Sequence, residues 1–453
     1  MRIEELHLQN FRGFRELKLT LPPDLAVFIG SNGSGKSSIL DSIAIFLSQF
    51  LSLFNKTFSK FDLTEDDINI KSDTVYNIIH IVTDADTITG ENTKLTWKNV
   101  NSSTNDLWRL SQLEIIQNTN DVEINNYAYK ILEDIDIFPH LSLPILVYYQ
   151  TNRISISSAS LNDSIKDKQA IIYNNQLDGY KEAFSDKIND FRDFLYWFKE
   201  EEEYENEVRL RQDTNFRNPR LEIIRKALET FLEGFPDTEF SDLHIVRVSS
   251  SREGGIRRLS KPSLVIKKNG ENFKLDQLSD GEKTLLMIVV DIARRLAILN
   301  PSITNPSELL EKGTGIILID EIDLHLHPQW QRIVIPSFKQ TFPNCQFIVT
   351  THSPQVLSAV NRENVFILED SEIVELTPHT FGRDSNSILS EVMGVEKRPV
   401  KMQERIDKCF EMIDNDNLEE AKLELKKLSE LLGNNDPDMI QAYTLIDFLN
   451  RVE

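Results

Sequence analysis

The chain has 453 residues, 40% of them apolar and 27% charged, a globular balance that excludes wholesale disorder, collagen-like repeats and low-complexity fibres. Seventy-two acidic residues against fifty basic ones leave a formal net charge of −22, which argues against a protein that coats DNA. Cys345 and Cys409 are too few for a disulfide scaffold, a four-cysteine zinc site or an iron–sulfur cluster, and no leader pattern or run of roughly 18 apolar residues is evident, which together predict a cytoplasmic protein.

In chain order, Ile3, Leu6, Leu8, Leu17 and Leu19 alternate with polar residues and predict an antiparallel pair bent at Phe11-Arg12-Gly13-Phe14. Leu25–Ile29 reads as a short buried strand, and a glycine-rich loop follows it. Leu40, Ile43, Ala44 and Leu47 then recur at helical spacing. Residues 52–145 mix β-rich segments with loops such as Asn101-Ser102-Ser103-Thr104, and Ile145–Tyr149 reads as another core strand ending in Gln150-Thr151-Asn152-Arg153. Two helices marked by Phe191, Phe194, Leu195, Phe198 and by Leu221, Ile224, Leu228, Phe231 predict a helical insertion, with Glu200–Glu203 as its solvated face. The β pattern returns from Asp242 and leads to a helix running through Leu299. The strand Ile316–Ile319, a helix over about Pro328–Gln340 and the strand Phe347–Thr350 follow. The tail after about Arg398 reads as helical throughout, with too few apolar positions for a self-sufficient core, so that it should pack on the head or on another protein.

Gly30-Ser31-Asn32-Gly33-Ser34-Gly35-Lys36-Ser37 matches G-x-x-x-x-G-K-[ST], after a buried strand and at a helix start. There the loop amides make an anion nest at the positive end of a helix; Lys36 would reach the β- and γ-phosphates of ATP and Ser37 would bind Mg²⁺, with Ser38 beside them. Asp320-Glu321 ends the apolar strand 316–319, which places Asp320 to bind Mg²⁺ and Glu321 to activate the attacking water.

Leu278-Ser279-Asp280-Gly281-Glu282 resembles the signature motif of ABC-type ATPases. That resemblance implies that Ser279, Gly281 and Glu282 serve the γ-phosphate held by another subunit's P-loop. It also implies that His352 is the switch histidine, that Gln150 is the loop glutamine sensing metal and water, and that Asp323 faces the partner subunit. Lys36 and Ser279 are 243 positions apart, far more than in a compact transporter cassette. This spacing, Phe11–Phe14 and Asn32 are similar to the RecF and SMC group. Tyr148-Tyr149, Asp291–Leu296 and Asp320–Pro328 extend the resemblance to the PtuA family of Septu anti-phage systems, whose members act with an HNH endonuclease, PtuB.

The resulting expectation is an α/β ABC-type ATPase head with a mixed β-sheet core, a helical insertion and a helical tail. The expected boundaries are 1–153 and 241–397 for the two parts of the head, 154–240 for the insertion and 398–453 for the tail. Its heads would form a homodimer or higher oligomer around ATP and Mg²⁺, act with a PtuB-like HNH endonuclease, reach DNA through that complex and need no membrane. A RecF-like DNA repair ATPase and an ATP sensor with negligible turnover remain alternatives. His325-x-His327 lacks a third metal ligand, and Asp414-Asn415-Asp416 sits in a turn between helices, unlike a nuclease carboxylate pair. Arg252, Arg257, Arg258, Lys261, Lys267 and Lys268 form a basic cluster that could contact phosphates.

Overall fold

The computed structural model describes residues 1–56, 58, 61–83, 93–102, 121–138, 141–151, 175–184, 191–236, 239–249, 259–374 and 377–452. Ser103, Thr104, Asn152, Arg153, Arg252, Arg257 and Arg258 lie outside them. Two compact units divide the chain, Met1–Arg383 and Asp384–Glu453.

The first unit is built on the apolar runs. Strands β1 (Arg2–Phe11) and β2 (Phe14–Thr20) pair antiparallel, with Phe11 opposite Phe14. They join β4 (Thr74–Val82) and β5 (Lys94–Ser102) in a sheet of order β2-β1-β4-β5. A second sheet takes β3 (Leu25–Gly30), β6 (Ile145–Tyr149), β10 (Gly315–Ile319), β11 (Cys345–Thr350), β12 (Val365–Glu369) and β13 (Glu372–Ile373) in the order β13-β12-β3-β11-β10-β6. All its pairings are parallel except β12 with β13. Residues of β6, β10 and β11 are buried throughout; β6 and, after Gly315, β10 are aliphatic and aromatic, whereas β11 also buries Gln346 and Thr350. Fully buried Gln346 stitches the two sheets: its amide accepts from Ile3 N–H and donates to the carbonyls of Ile3 and Pro22. A third, antiparallel sheet is β7 (Phe240–Ser249), β8 (Leu259–Lys268) and β9 (Glu271–Lys274).

Helix α1 (Lys36–Phe54) is long and apolar enough by composition to cross a membrane, contrary to the expectation from the sequence, yet it is a mostly buried helix of the core. Within the stretch read as sheet and loops stands a helix, α2 (Asp121–Ile137), whose Asn- and Asp-rich sequence hides its apolar face. Helices α3 (Phe191–Arg211) and α4 (Pro219–Leu232) follow. The acidic run on α3 is more than a solvated face: Glu201 holds Arg220 and Asn218, Glu202 accepts from Ile245 N–H, and buried Glu205 pairs with Arg225. Burial raises the Glu202 pKa, with the Ile245 N–H opposing the rise. Helix α4 carries buried Leu221, Ile224 and Phe231 against α5 (Asp280–Leu299), α6 (Pro306–Lys312) and α8 (Val334–Thr341).

The single helix expected over 328–340 is two, α7 (Pro328–Gln331) and α8. Pro336 explains the break: in a continuous helix its ring would collide with the carbonyl four residues earlier, whereas in the first turn of α8 its missing N–H is not needed. Helix α9 (Pro354–Leu357) starts right after the segment that follows β11.

The second unit has α10 (Ser385–Glu391), α11 (Val400–Asp414), α12 (Leu418–Leu432) and α13 (Pro437–Val452), and so begins at Asp384 rather than 398. It also has a core of its own, contrary to the sequence expectation. Ile406, Cys409, Ile413, Ala421, Leu425, Leu428, Met439, Ala442 and Ile446 are buried together. Small and sulfur-bearing residues supply what counting large aliphatics missed. Arg398 binds Asp436 and Asp438, pinning the entry of α11 to the start of α13.

Candidate functional site

In an open parallel sheet, ligands bind beyond the carboxyl ends of the strands, where the order of the strands reverses. Here the ends of β3, β11, β10 and β6 are neighbours, and the motif residues leave the sheet there.

From β3 the chain enters the loop Gly30–Gly35. Gly30 has φ 149°, and a Cβ there would lie 2.2 Å from the Leu368 carbonyl oxygen; Gly35 has φ 103°, and its Cβ would lie 2.5 Å from the Phe14 ring. The loop therefore threads between a strand carbonyl and an aromatic ring, where no side chain fits. Ser31, Asn32 and Gly33 are exposed. The Ser34 hydroxyl is buried and has no hydrogen-bond partner among the described residues. A buried unpaired hydroxyl costs about 1–3 kcal/mol, and together with the glycine positions at the two ends of the loop it fits a phosphate acceptor. Lys36 starts α1 and is nearly buried; its ammonium donates to the Gly30 and Ser31 carbonyls at 3.0 and 2.8 Å. Burial pulls its pKa below the usual lysine range, and the charges of Asp320 and Glu321 partly restore it.

Asp320, at the end of β10, is 5% exposed. Three hydroxyls meet its carboxylate: Ser37 donates to Oδ2 at 2.9 Å, Thr151 to Oδ2 at 2.7 Å and Thr350 to Oδ1 at 2.6 Å. Ser37, expected to share a metal with Asp320, is thus in direct contact with it. From the end of β6, the hydroxyl that arrives is that of Thr151, the neighbour of Gln150. Glu321 has φ 50°, a left-handed turn that β-strand continuation would forbid, and its N–H donates to the Thr350 hydroxyl at 2.7 Å. One carboxylate, one hydroxyl and substrate oxygens form a donor set that suits Mg²⁺, which keeps several waters. Among the described residues no group of three or more His, Cys, Asp or Glu could hold a metal ion, and His327 instead caps α7.

Asp323 accepts from the Thr351 hydroxyl at 2.6 Å and from His352 N–H at 3.3 Å, so the residues read as partner-facing and as switch are bonded to each other. Ser279 is the exposed N-cap of α5. Its hydroxyl donates to Glu282 at 2.9 Å, the Ser279 N–H does the same, and Glu282 N–H returns the bond: a capping box. Lys268 donates to the other Glu282 oxygen at 2.5 Å. Burial would raise the Glu282 pKa, but Lys268 and Ser279 outweigh it and lower it. Gly281 packs on the segment after Asp323, since a Cβ there would lie 2.3 Å from the His325 carbonyl oxygen.

Behind the site, the Tyr149 hydroxyl and Arg295 each donate to buried Asp291, Arg294 pairs with its other oxygen, and Arg295 also reaches the Gly179 carbonyl. Burial would raise the Asp291 pKa; Arg295 and Arg294 hold it at about 2. Arg12 is held by Asp41 at 2.5 Å and Asp67 at 2.9 Å, and Tyr148 donates to Asp41. Thr151, Thr350 and Thr351 are the polar partners that motif reasoning passed over. The one signal for two of them is the hydroxylic pair Thr350-Thr351 standing immediately before His352.

The profile of a family described as AAA ATPase domain matches residues 1–357. The retron Vc95 probable ATPase of Vibrio cholerae serotype O1 biovar El Tor is 30% identical, over 90% of this chain and 81% of that protein. The retron Ec83 probable ATPase of Escherichia coli is also 30% identical, over 88% and 77% of the two chains. Septu protein PtuA of Bacillus thuringiensis is 25% identical over 96% and 95%.

Proposed function

The chain belongs to the AAA ATPase domain family and is an ATPase, and we propose that it works in anti-phage defence at ATP sites shared between subunits. ATP would be held by the loop amides of Gly30–Gly35, by Lys36 and by Ser34. Bound Mg²⁺ would supply charge neutralisation on the phosphates, with Ser37 and Asp320 as its protein ligands. Lys36 leaves the two loop carbonyls for the phosphates, where its charge counts most in a water-poor cleft. Glu321 takes the proton from the attacking water, and His352 and Gln150 orient that water and the γ-phosphate.

The observation that carries the shared site is the exposed Ser279 at the start of a 20-residue helix, its hydroxyl engaged by Glu282 of its own chain. A helix N-terminus is an anion site in waiting, and another copy's γ-phosphate would displace Glu282 from the hydroxyl. The role in defence, with an HNH endonuclease partner that does the cutting, rests on the likeness to Septu PtuA and the retron ATPases.

Mixing tests this reading. Lys36→Ala and Ser279→Arg proteins should each be inactive, while an exchanged mixture should recover up to about half of wild-type ATPase per composite interface, because one of its two sites combines two intact halves. Mixtures as inactive as their parents, under conditions of proven subunit exchange, would end the shared-site proposal.

A further inference from the structure

The loop from Asp320 to Asp323 carries three residues of the proposed chemistry, and every one of them is tied to two adjacent threonines at the end of β11. Thr350, fully buried, makes three bonds to it. Its hydroxyl donates to Asp320 Oδ1 at 2.6 Å and accepts from Glu321 N–H at 2.7 Å, and its carbonyl accepts from Ile322 N–H at 3.0 Å. Thr351, also fully buried, donates to Asp323 Oδ1 at 2.6 Å and accepts from Ser353 N–H at 3.0 Å.

The Thr350 hydroxyl is therefore engaged in both directions: its single proton is on the carboxylate and one of its two lone pairs accepts from the Glu321 amide. A β-branched side chain is stiff about χ1, so turning it to another rotamer would break both bonds. The contrast with the other two hydroxyls on Asp320 is geometric. Thr151 donates to Oδ2, and the exposed Ser37 spans both oxygens, 2.9 Å from Oδ2 and 3.2 Å from Oδ1, so an arriving cation would compete with them on the open side of the carboxylate. Thr350 holds Oδ1 from inside the sheet.

We infer that Thr350 is a positioning residue for the metal carboxylate and for the base, and that Thr351 is its counterpart for Asp323. Resting on the reading of Asp320 as a Mg²⁺ ligand, the inference assigns Thr350 the task of aiming Asp320 while holding the left-handed turn at Glu321. Outer hydrogen bonds of this sort typically change metal affinity by about 10–100-fold.

The test is a Mg²⁺ titration of the binding of a fluorescent ATP analogue to the full-length chain, with a matching titration in EDTA. Thr350→Val, which keeps shape and loses the hydroxyl, should raise the Mg²⁺ half-saturation by about tenfold or more, with metal-free affinity unchanged. Thr350→Ser should restore the wild-type curve, and Thr351→Val should leave the half-saturation within about twofold of wild type, since its hydroxyl serves Asp323. Should Thr350→Val not fold, Thr350→Ala against Thr350→Ser carries the same comparison. A Thr350→Val curve identical to wild type, or an equal loss with and without Mg²⁺ that serine does not rescue, would overturn the inference and leave Thr350 a packing residue. Failure of the underlying metal reading looks different: wild type itself would then bind the analogue equally with and without Mg²⁺, and the inference would fall with it.

Discussion

Asp291 and Asp320 are buried to nearly the same degree, 6% and 5% exposed, and both lie in the first unit. Their surroundings differ in kind. Asp291 is met by two arginines and the Tyr149 hydroxyl, permanent charges that cannot leave because they are buried with it. Asp320 accepts from the hydroxyls of Ser37, Thr151 and Thr350, neutral donors that stabilise a carboxylate without cancelling its charge, and that charge also acts on Lys36. A buried carboxylate whose counter-charge is built in is a strut between α5 and the end of β6. One held by neutral groups can exchange some of them for a cation.

Removing the strut should have the largest effect. Asp291→Ala leaves two buried guanidinium groups uncompensated and should destabilise the first unit by about 3–5 kcal/mol. All four tryptophans, Trp97, Trp108, Trp197 and Trp330, precede residue 384, so urea unfolding followed by tryptophan fluorescence reads that unit. A midpoint equal to wild type would dissolve the contrast.

Acid should then reveal the same strut more gently. The folded pKa of Asp291 is about 2, below its ordinary 3.8. Its contribution is therefore complete above the ordinary value and lost as pH falls through about 2, with a full size of about 2 kcal/mol. The gap in urea midpoint between wild type and Asp291→Asn should narrow as pH is lowered from about 4 toward about 2. A gap that stays constant over that window would place the stabilisation elsewhere.

The smallest change in stability is expected at the other carboxylate. Asp320→Asn keeps hydrogen-bonding capacity for the surrounding hydroxyls and should shift stability by less than about 1 kcal/mol in either direction. Mg²⁺-dependent nucleotide binding should nevertheless fall by about tenfold or more. Should Asp320→Asn cost as much stability as Asp291→Ala, the two aspartates would be the same kind of feature.

What the sequence made legible were residues whose position follows from local chain direction. The glycines and Lys36 of the loop after β3, Asp320-Glu321 after four aliphatics, and Ser279 three residues before Glu282 each stand at a strand or helix end that their neighbours announce. Illegible were contacts between segments distant in the chain. Thr151 and Asp320 meet across 169 positions, and Tyr149 meets Asp291 across 142; no period or spacing encodes such pairs. The acidic run Glu200–Glu203 is a solvated face only in part for the same reason: Glu200 and Glu203 are exposed, but the partner of Glu201 lies on the next helix. In the second unit Ile406, Ile413, Ala421, Leu425 and Leu428 stand at helical spacing in the sequence, whereas Cys409, Met439 and Ala442, which help to complete the core, belong to no stripe of large aliphatics.

The contact between Gly281 and His325 is backbone against backbone. Gly281 has no side chain to stand between them, so the spacing from the head of α5 to the loop bearing Asp323 is set by van der Waals contact against the His325 carbonyl. A single methyl group, Gly281→Ala, would therefore act as a shim driven into a fitted joint.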